Sequence, residues 1–158
     1  MKNGYKTIAS IKKECTNFAE KVLAANYSEM DDDTLCVTAD QAREPIEIAA
    51  TVTETIFRKT GLKLFSCQLE TAYALYNGHI AELSTGEGKT LAGVVAAIMY
   101  VKSGRKVQLL VFNDYLAKRD ATENKIIYDL CGVSVGYITE STPISERAEQ
   151  YEKDVLYI

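Results

Sequence analysis

A short glycine-rich segment that runs into a long apolar stretch constrains this chain more than any other feature. The segment reads Gly86-Glu87-Gly88-Lys89-Thr90. Residues 90–102 are apolar nearly all round, which predicts a buried helix, and residues 79–84 predict a short strand. A glycine-rich turn between a strand and a helix is an arrangement that binds phosphate groups through the backbone.

Each residue of the segment contributes a property that a bound phosphate requires. Amide groups at a helix N-terminus are unpaired and carry partial positive charge. Gly86 and Gly88 let the backbone approach a β-phosphate, and Lys89 supplies an ammonium group for the β- and γ-phosphates. Thr90 supplies a hydroxyl group for Mg²⁺. Glu87 is predicted to be an exposed turn residue rather than a catalytic base, because phosphates would repel its carboxylate.

One position departs from the strict phosphate-loop pattern, which begins with a glycine where this chain has Leu83. The alternative is a glycine-rich turn that enters a helix without binding any ligand. That alternative explains both glycines, but it gives no reason for Lys-Thr at the start of an apolar helix. The flanking strand and helix therefore favour phosphate binding.

The remainder of the chain predicts an α/β protein with a helical N-terminal lead-in. After the apolar helix, strands and helices alternate, which is typical of a parallel sheet flanked by helices. The predicted strands cover residues 106–112, 133–138 and 155–158, and the predicted helices cover residues 114–130 and 144–151. Upstream, helices are predicted over residues 5–26 and 66–77. A third helix is predicted between them: it starts at a capping box formed by Thr38 and Gln41, includes Pro45 and ends at Gly61. The acidic run 31–33 is predicted to be a solvated turn.

Composition argues against several classes of function. The net charge is −4 and the isoelectric point is about 5.1, whereas nucleic-acid binders usually carry a basic excess. The four cysteines form no C-x-x-C pair, and the single histidine, His79, has no partner ligand nearby in sequence. The sequence contains no signal-peptide pattern and no apolar run of membrane-spanning length.

Four segments resemble the SecA family, the ATPases of bacterial protein secretion. Residues 80–91 are similar to the SecA phosphate loop "IAEM-x-TGEGKT-L", in which the position of Leu83 is also not glycine. Residues 113–120 resemble its "NDYLA-x-RD" segment, the counterpart of helicase motif Ia. Residues 132–136 resemble "GL-x-VG", and residues 65–69 resemble "F-x-x-QL". The similarity extends from about Glu54 to Ile158.

The resemblance implies a partial RecA-like P-loop NTPase domain with ATP and Mg²⁺ as cofactors. It implies a helical segment over residues 1–60 and the first part of nucleotide-binding domain 1 over residues 61–158, truncated before the DEAD-like motif. Gln68 would contact adenine, and Phe65 would either lie near the base or fill the core. The family places phosphate at Gly86, Glu87, Gly88 and Lys89, Mg²⁺ at Thr90, and catalytic roles at Lys89 and Thr90.

The family resemblance also implies partners and a location. They are the SecYEG translocon, preproteins and anionic membrane lipid, with a cytoplasmic protein held peripherally at the cytoplasmic membrane and a homodimer of the full-length protein. No nucleic-acid partner is expected. Housekeeping SecA proteins have two glycines after "QL" and a basic residue before "TGEGKT", where this chain has Thr71, Ala72 and Ser84. These departures fit an accessory SecA paralogue. For Arg119 and Asp120 the expectations are an ion pair on a solvated helix or a conformational element.

Two other functions remain open at this point. A fragment of a nucleic-acid helicase would share the fold and the phosphate loop, although the acidic isoelectric point counts against it. A non-catalytic nucleotide-binding module would work as the chain stands.

The 158-residue chain is expected to bind nucleotide without hydrolysing it. Hydrolysis in P-loop motors requires a carboxylate for Mg²⁺ and water, and no acidic pair follows the last predicted strand. Release of inorganic phosphate from ATP by the purified chain measures this. Turnover that Lys89→Ala abolishes would contradict the expectation.

Overall fold

The structure is a computed structural model that describes residues 7–158. Within that range the chain forms an α/β fold in which helices surround a small parallel sheet. The helices are α1 (Ile8–Ala24), α2 (Asp32–Gln41), α3 (Pro45–Thr60), α4 (Ser66–Tyr76), α5 (Lys89–Lys102), α6 (Asp114–Glu123), α7 (Lys125–Leu130) and α8 (Ile144–Tyr151). The strands are β1 (Val107–Leu109), β2 (Val135–Tyr137) and β3 (Val155–Tyr157).

The three strands form one parallel sheet in the order β1-β3-β2. Val107 and Val135 both lie opposite Val155, so the last strand of the chain occupies the centre. All three residues of β3 are buried, as expected for a strand with a neighbour on each side. The predicted α/β class with a parallel sheet and flanking helices is thereby confirmed.

The N-terminal helices begin and end at residues whose side chains or conformations suit those positions. The hydroxyl of Thr7 accepts a hydrogen bond from the amide of Ser10 at the start of α1. Pro45 occupies the first turn of α3, where the missing amide hydrogen costs nothing. Gly61 ends α3 in the left-handed conformation, with a φ of 72°.

The start of α2 differs from the prediction. Its N-terminal cap is Asp31, whose carboxylate accepts a hydrogen bond of 2.7 Å from the amide of Thr34, so the acidic run begins a helix rather than forming a turn. Asp32 then pairs with Arg58 and Lys59 of α3. Thr38 is no cap: its hydroxyl donates to the carbonyl of Thr34 inside α2. The cap at Asp31 lies seven residues before the predicted one, and the ion pairs of Asp32 hold this end of α2 against α3.

The predicted helix 114–130 is two helices. The break lies at Asn124, which is buried and donates from its side chain to the carbonyl of Asp120. The backbone amide of Asn124 donates to the same carbonyl, so Asn124 ends α6, and α7 begins at the next residue. A buried asparagine that bonds locally to the backbone is a common way to interrupt a helix.

Residues 79–84 form no strand, so that prediction is wrong. Their backbone is irregular and Ile80 is fully exposed. A strand requires a neighbour for its amide and carbonyl groups, and β1, β2 and β3 pair only with one another in the part of the chain described. His79 is half-buried, and its amide donates to the carbonyl of Ala74 at the end of α4.

A single hydrophobic cluster connects the N-terminal helices with the elements around the sheet. Phe18 of α1 stacks on Tyr73 of α4 with ring centroids 4.1 Å apart. On the other side of the cluster, the hydroxyl groups of Tyr128 and Tyr157 are hydrogen-bonded at 2.9 Å. Burial raises the pKa of both tyrosines, to about 12 for Tyr157, so both stay neutral over the ordinary pH range.

The contribution of this cluster is testable with two phenylalanines. Phe18 is 4% exposed, and Phe112, three residues after the end of β1, is 92% exposed. We expect Phe18→Ala to lower the free energy of unfolding by about 3–5 kcal/mol, because it removes a buried ring and leaves a cavity. Phe112→Ala should change it by about 0.5 kcal/mol or less. Urea unfolding followed by circular dichroism measures both, and equal losses would contradict the single cluster.

Candidate nucleotide-binding site

The glycine-rich segment forms a tight turn that ends at the N-terminus of α5. Gly86 and Gly88 have φ angles of 90° and 74°, in the region that favours glycine. Gly88 is the residue before the first helical residue, Lys89, and its carbonyl accepts from the amides of Leu91 and Ala92. The turn therefore ends at the N-terminus of α5, where Lys89 and Thr90 are the first two helical residues.

The helix terminus leaves several hydrogen-bond donors unused. Among the described residues, the amides of Gly88, Lys89 and Thr90 donate to no acceptor. The hydroxyl of Thr90 likewise forms no hydrogen bond within residues 7–158, and its side chain is exposed. Free amides at a helix N-terminus carry partial positive charge, so this group suits an anion.

Side chains within the turn hold it closed. The Lys89 ammonium donates to the carbonyl of Ser84 at 2.7 Å, and the amide of Ser84 donates to the Glu87 carboxylate at 2.8 Å. The carboxylate of Glu87 thus bonds the backbone of its own turn. An anion in the turn would offer Lys89 a charged acceptor in place of the Ser84 carbonyl, and such a hydrogen bond is stronger.

Gln68 lies beneath the turn and connects it to α4. Its side chain donates to the carbonyls of Glu87, at 3.1 Å, and Gly88, at 3.4 Å. Its carbonyl oxygen accepts a 2.8 Å hydrogen bond from the amide of Phe65 at the start of α4. Gln68 is only 6% exposed, so both ends of its amide are used in this conformation. Phe65 is 70% exposed and does not fill the core.

A cleft of about 390 Å³ opens beside the turn. Lys89 and Thr90 form one wall, and Tyr157 of β3 forms part of the sheet side. Ligands of parallel α/β sheets commonly bind at such a place, beyond the carboxyl ends of the strands. The remaining lining residues are Gly93, Leu109, Leu110, Val111, Phe112, Leu116, Arg119 and Asp120.

Arg119 and Asp120 lie beside the phosphate turn, a position that no local sequence pattern predicted. They do form an ion pair, in which the Arg119 Nε donates to Asp120 Oδ1 at 2.8 Å. The pair is not on a solvated face, because Asp120 is buried and only 6% exposed. Hydrogen bonding to Asp120 raises the pKa of the Arg119 guanidinium further, so that group is always charged. The order of strand and helix after the turn could have indicated this position, because α6 follows the carboxyl end of β1.

The structure brings six predicted site residues together. Gln68 supports the turn from below, and the other five form the turn and the first residues of α5. No group of three or more metal-ligating side chains occurs within residues 7–158. The donor set at the helix terminus nevertheless fits a metal–nucleotide complex, since an ammonium, free amides and a hydroxyl match phosphate oxygens and one Mg²⁺ ligand. The six are Gln68, Gly86, Glu87, Gly88, Lys89 and Thr90.

Comparison with known proteins identifies the family. The profile of the SecA DEAD-like domain matches residues 1–158. The chain belongs to this family. It is 38% identical over 151 residues to the protein translocase subunit SecA 2 of Mycobacterium tuberculosis, an alignment that covers 94% of this chain and 18% of that protein.

Two further relatives have similar identities. The SecA 2 subunit of Thermobifida fusca is 42% identical over 111 residues, which covers 70% of this chain and 14% of that protein. The SecA subunit of Wolinella succinogenes is 38% identical over 154 residues, which covers 88% of this chain and 18% of that protein. The chain therefore spans less than a fifth of the length of these relatives. No helix within residues 7–158 has the length and apolarity needed to cross a membrane.

Two glycines of the turn offer a matched test of its geometry. A methyl group at Gly88 would lie 1.9 Å from the Gln68 amide nitrogen, whereas one at Gly86 would have no atom within 4 Å. Alanine at either position incurs backbone strain of about 1–2 kcal/mol. Gly88→Ala should cost more, because Gln68 must also move. Urea unfolding of both variants measures the difference, and equal losses would contradict the contact between Gln68 and the turn.

Proposed function

We propose that this chain binds ATP with Mg²⁺ and is the nucleotide-binding part of a SecA-type protein-export motor. The observation that carries the proposal is the group of donors at the N-terminus of α5. Three amides without acceptors lie next to the Lys89 ammonium and the Thr90 hydroxyl, at the mouth of a cleft. The amides and Lys89 bind the phosphates, and Thr90 binds Mg²⁺.

The roles of the remaining site residues follow from this geometry. Gly86 and Gly88 give the backbone its positive φ angles, and Glu87 contributes its backbone while its carboxylate bonds to Ser84. Gln68 contacts the adenine edge, as the family resemblance implies. For that contact the Gln68 amide nitrogen leaves the carbonyls of Glu87 and Gly88, because its carbonyl oxygen caps α4.

The export function rests on family membership. The relatives are translocase subunits by name, and they are more than five times the length of this chain. We infer that residues 61–158 are the first part of nucleotide-binding domain 1 and that residues 1–60 are a helical segment that precedes it. Lys89 and Thr90 then serve catalysis in a longer polypeptide that supplies the remaining groups.

Partners and location follow from the same inference. The motor would move preproteins through SecYEG, bind anionic lipid, form a homodimer and associate peripherally with the cytoplasmic face of the membrane. Thr71, Ala72 and Ser84 favour the accessory type, whose members serve few exported proteins. The size of the polypeptide in the source cells tests the motor function. A product several times larger than 17.5 kDa is expected, and a 17.5 kDa product would contradict the proposal.

Nucleotide binding itself is tested with Lys89→Ala. Calorimetric titration of the chain with ATP and Mg²⁺ should show binding that weakens about tenfold or more in the variant, because a charge-assisted contact to phosphate is lost. Lys12→Ala is the matched control, since Lys12 is exposed on α1 and does not line the cleft. Equal affinities of Lys89→Ala and the unaltered chain would contradict the site.

A further inference from the structure

Arg119 is the second cation of the cleft, and its guanidinium has an unused side. Its Nε and one terminal nitrogen both donate to Asp120, and its plane lies over the ring of Tyr115, 5.8 Å from the centroid. The other terminal nitrogen, Nη1, donates to no atom of the residues described. The guanidinium carries five N–H donors, of which two donate to Asp120, so three are unused within the described part of the chain and two of these are on Nη1.

The ion pair holds this guanidinium firmly. The Asp120 side chain is 9% exposed, while that of Arg119 is 35% exposed. Arg119 is the one cation paired with this buried carboxylate within residues 7–158, and loss of the pair would leave a buried charge uncompensated, so Asp120 holds the guanidinium in place. The tyrosine face restricts it further. A rigid cation with free donors at the rim of a cleft is a ready contact for an anion.

The position of this cation relative to the turn indicates which phosphate it can meet. In phosphate loops the backbone cradles the α- and β-phosphates, and the lysine reaches the β- and γ-phosphates. Of the three phosphates, the terminal one is therefore the one that the backbone of the turn does not cradle, which leaves it available to a second cation. Arg119 lies on α6, beyond the carboxyl end of β1, and lines the same cleft as Lys89 and Thr90. The third charged residue that lines the cleft is Asp120, and its carboxylate is ion-paired with Arg119.

We propose that Arg119, oriented by Asp120 and Tyr115, contacts the γ-phosphate of ATP and makes this site discriminate ATP from ADP. The inference rests on the proposed nucleotide site and adds a specificity-determining residue to it. ADP lacks the γ-phosphate, so the Arg119 guanidinium does not contribute to the affinity for ADP. The contact also joins the bound nucleotide to α6, because Arg119 and Asp120 are neighbours on that helix.

Binding of two nucleotides to the same variants tests the proposal. The non-hydrolysable analogue β,γ-imido-ATP and ADP, each with Mg²⁺, are titrated into the chain by calorimetry. Arg119→Gln should weaken binding of the analogue about tenfold or more and that of ADP by less than about twofold. Arg119→Lys keeps the charge but has no planar fork, so it should restore only part of the loss.

Arg105→Gln is the matched control. Arg105 also lies over a tyrosine ring, 5.5 Å from the centroid of Tyr100, but it does not line the cleft. This variant should bind both nucleotides as the unaltered chain does. Thermal unfolding without nucleotide checks that each variant is folded, and Arg119→Lys carries the test if Arg119→Gln does not fold.

The outcomes separate this inference from the nucleotide site on which it rests. If Lys89→Ala abolishes binding while Arg119→Gln and Arg119→Lys weaken both nucleotides equally, Arg119 is only structural and the inference is wrong. Unchanged binding in both Arg119 variants overturns it as well. If the unaltered chain binds neither nucleotide, or Lys89→Ala binds as well as it does, the proposed site itself is wrong and the inference falls with it.

Discussion

Burial of helix α5 is the constraint on which the rest of the structure depends. Half of its 14 residues are buried, and they contact both the N-terminal helices and the elements around the sheet. A helix that is apolar nearly all round is stable only when other elements surround it, and the hydrophobic cluster surrounds α5. Its first residues, Lys89 and Thr90, are exposed, so the helix must emerge from the cluster at its N-terminus. Core packing thus fixes the position of the phosphate turn, and the free amide groups at the N-terminus of α5 are exposed because of that position.

Charge is distributed around this terminus so that cations are held in place before an anion arrives. Lys89 donates a hydrogen bond to the uncharged carbonyl of Ser84, and a hydrogen bond from its ammonium to a charged phosphate would be stronger. Arg119 is ion-paired with the buried carboxylate of Asp120, and separating the pair would leave a buried charge uncompensated. The two cations therefore differ in how they are held: Lys89 donates to an uncharged carbonyl, whereas Arg119 is ion-paired with Asp120. In the proposed nucleotide site, this difference would let Lys89 turn to a bound phosphate while Arg119 stays at the position from which it would contact the terminal phosphate.

Local sequence patterns predicted much of this fold, because several elements are decided by their own residues. Helix α8 and the C-terminal glycine of α3 lie where the sequence placed them, and the apolar run predicted α5. Features that depend on distant partners were not predicted. The pairing of Asp32 with Arg58 and Lys59 of α3 is such a feature, and the contacts of Gln68 and Arg119 depend on where α4 and α6 pack. No pattern around Gln68 indicates that both ends of its amide are already bonded.

The clearest failure, the strand expected over residues 79–84, is itself informative about the sheet. In a parallel ladder one residue directs its amide and carbonyl to the same neighbour. Val107 and Leu109 bond to β3, so the backbone of Leu110 faces the other way, with a side chain that is 80% exposed. Within residues 7–158, residues 79–84 have strand-forming side chains but no neighbouring strand, and the edge of β1 that faces away from β3 is unpaired. A strand depends on a neighbouring backbone that pairs with its amide and carbonyl groups, and the local pattern of side chains carries no information about that neighbour. The sequence of residues 79–84 therefore predicts a strand that the packing of the described residues does not form.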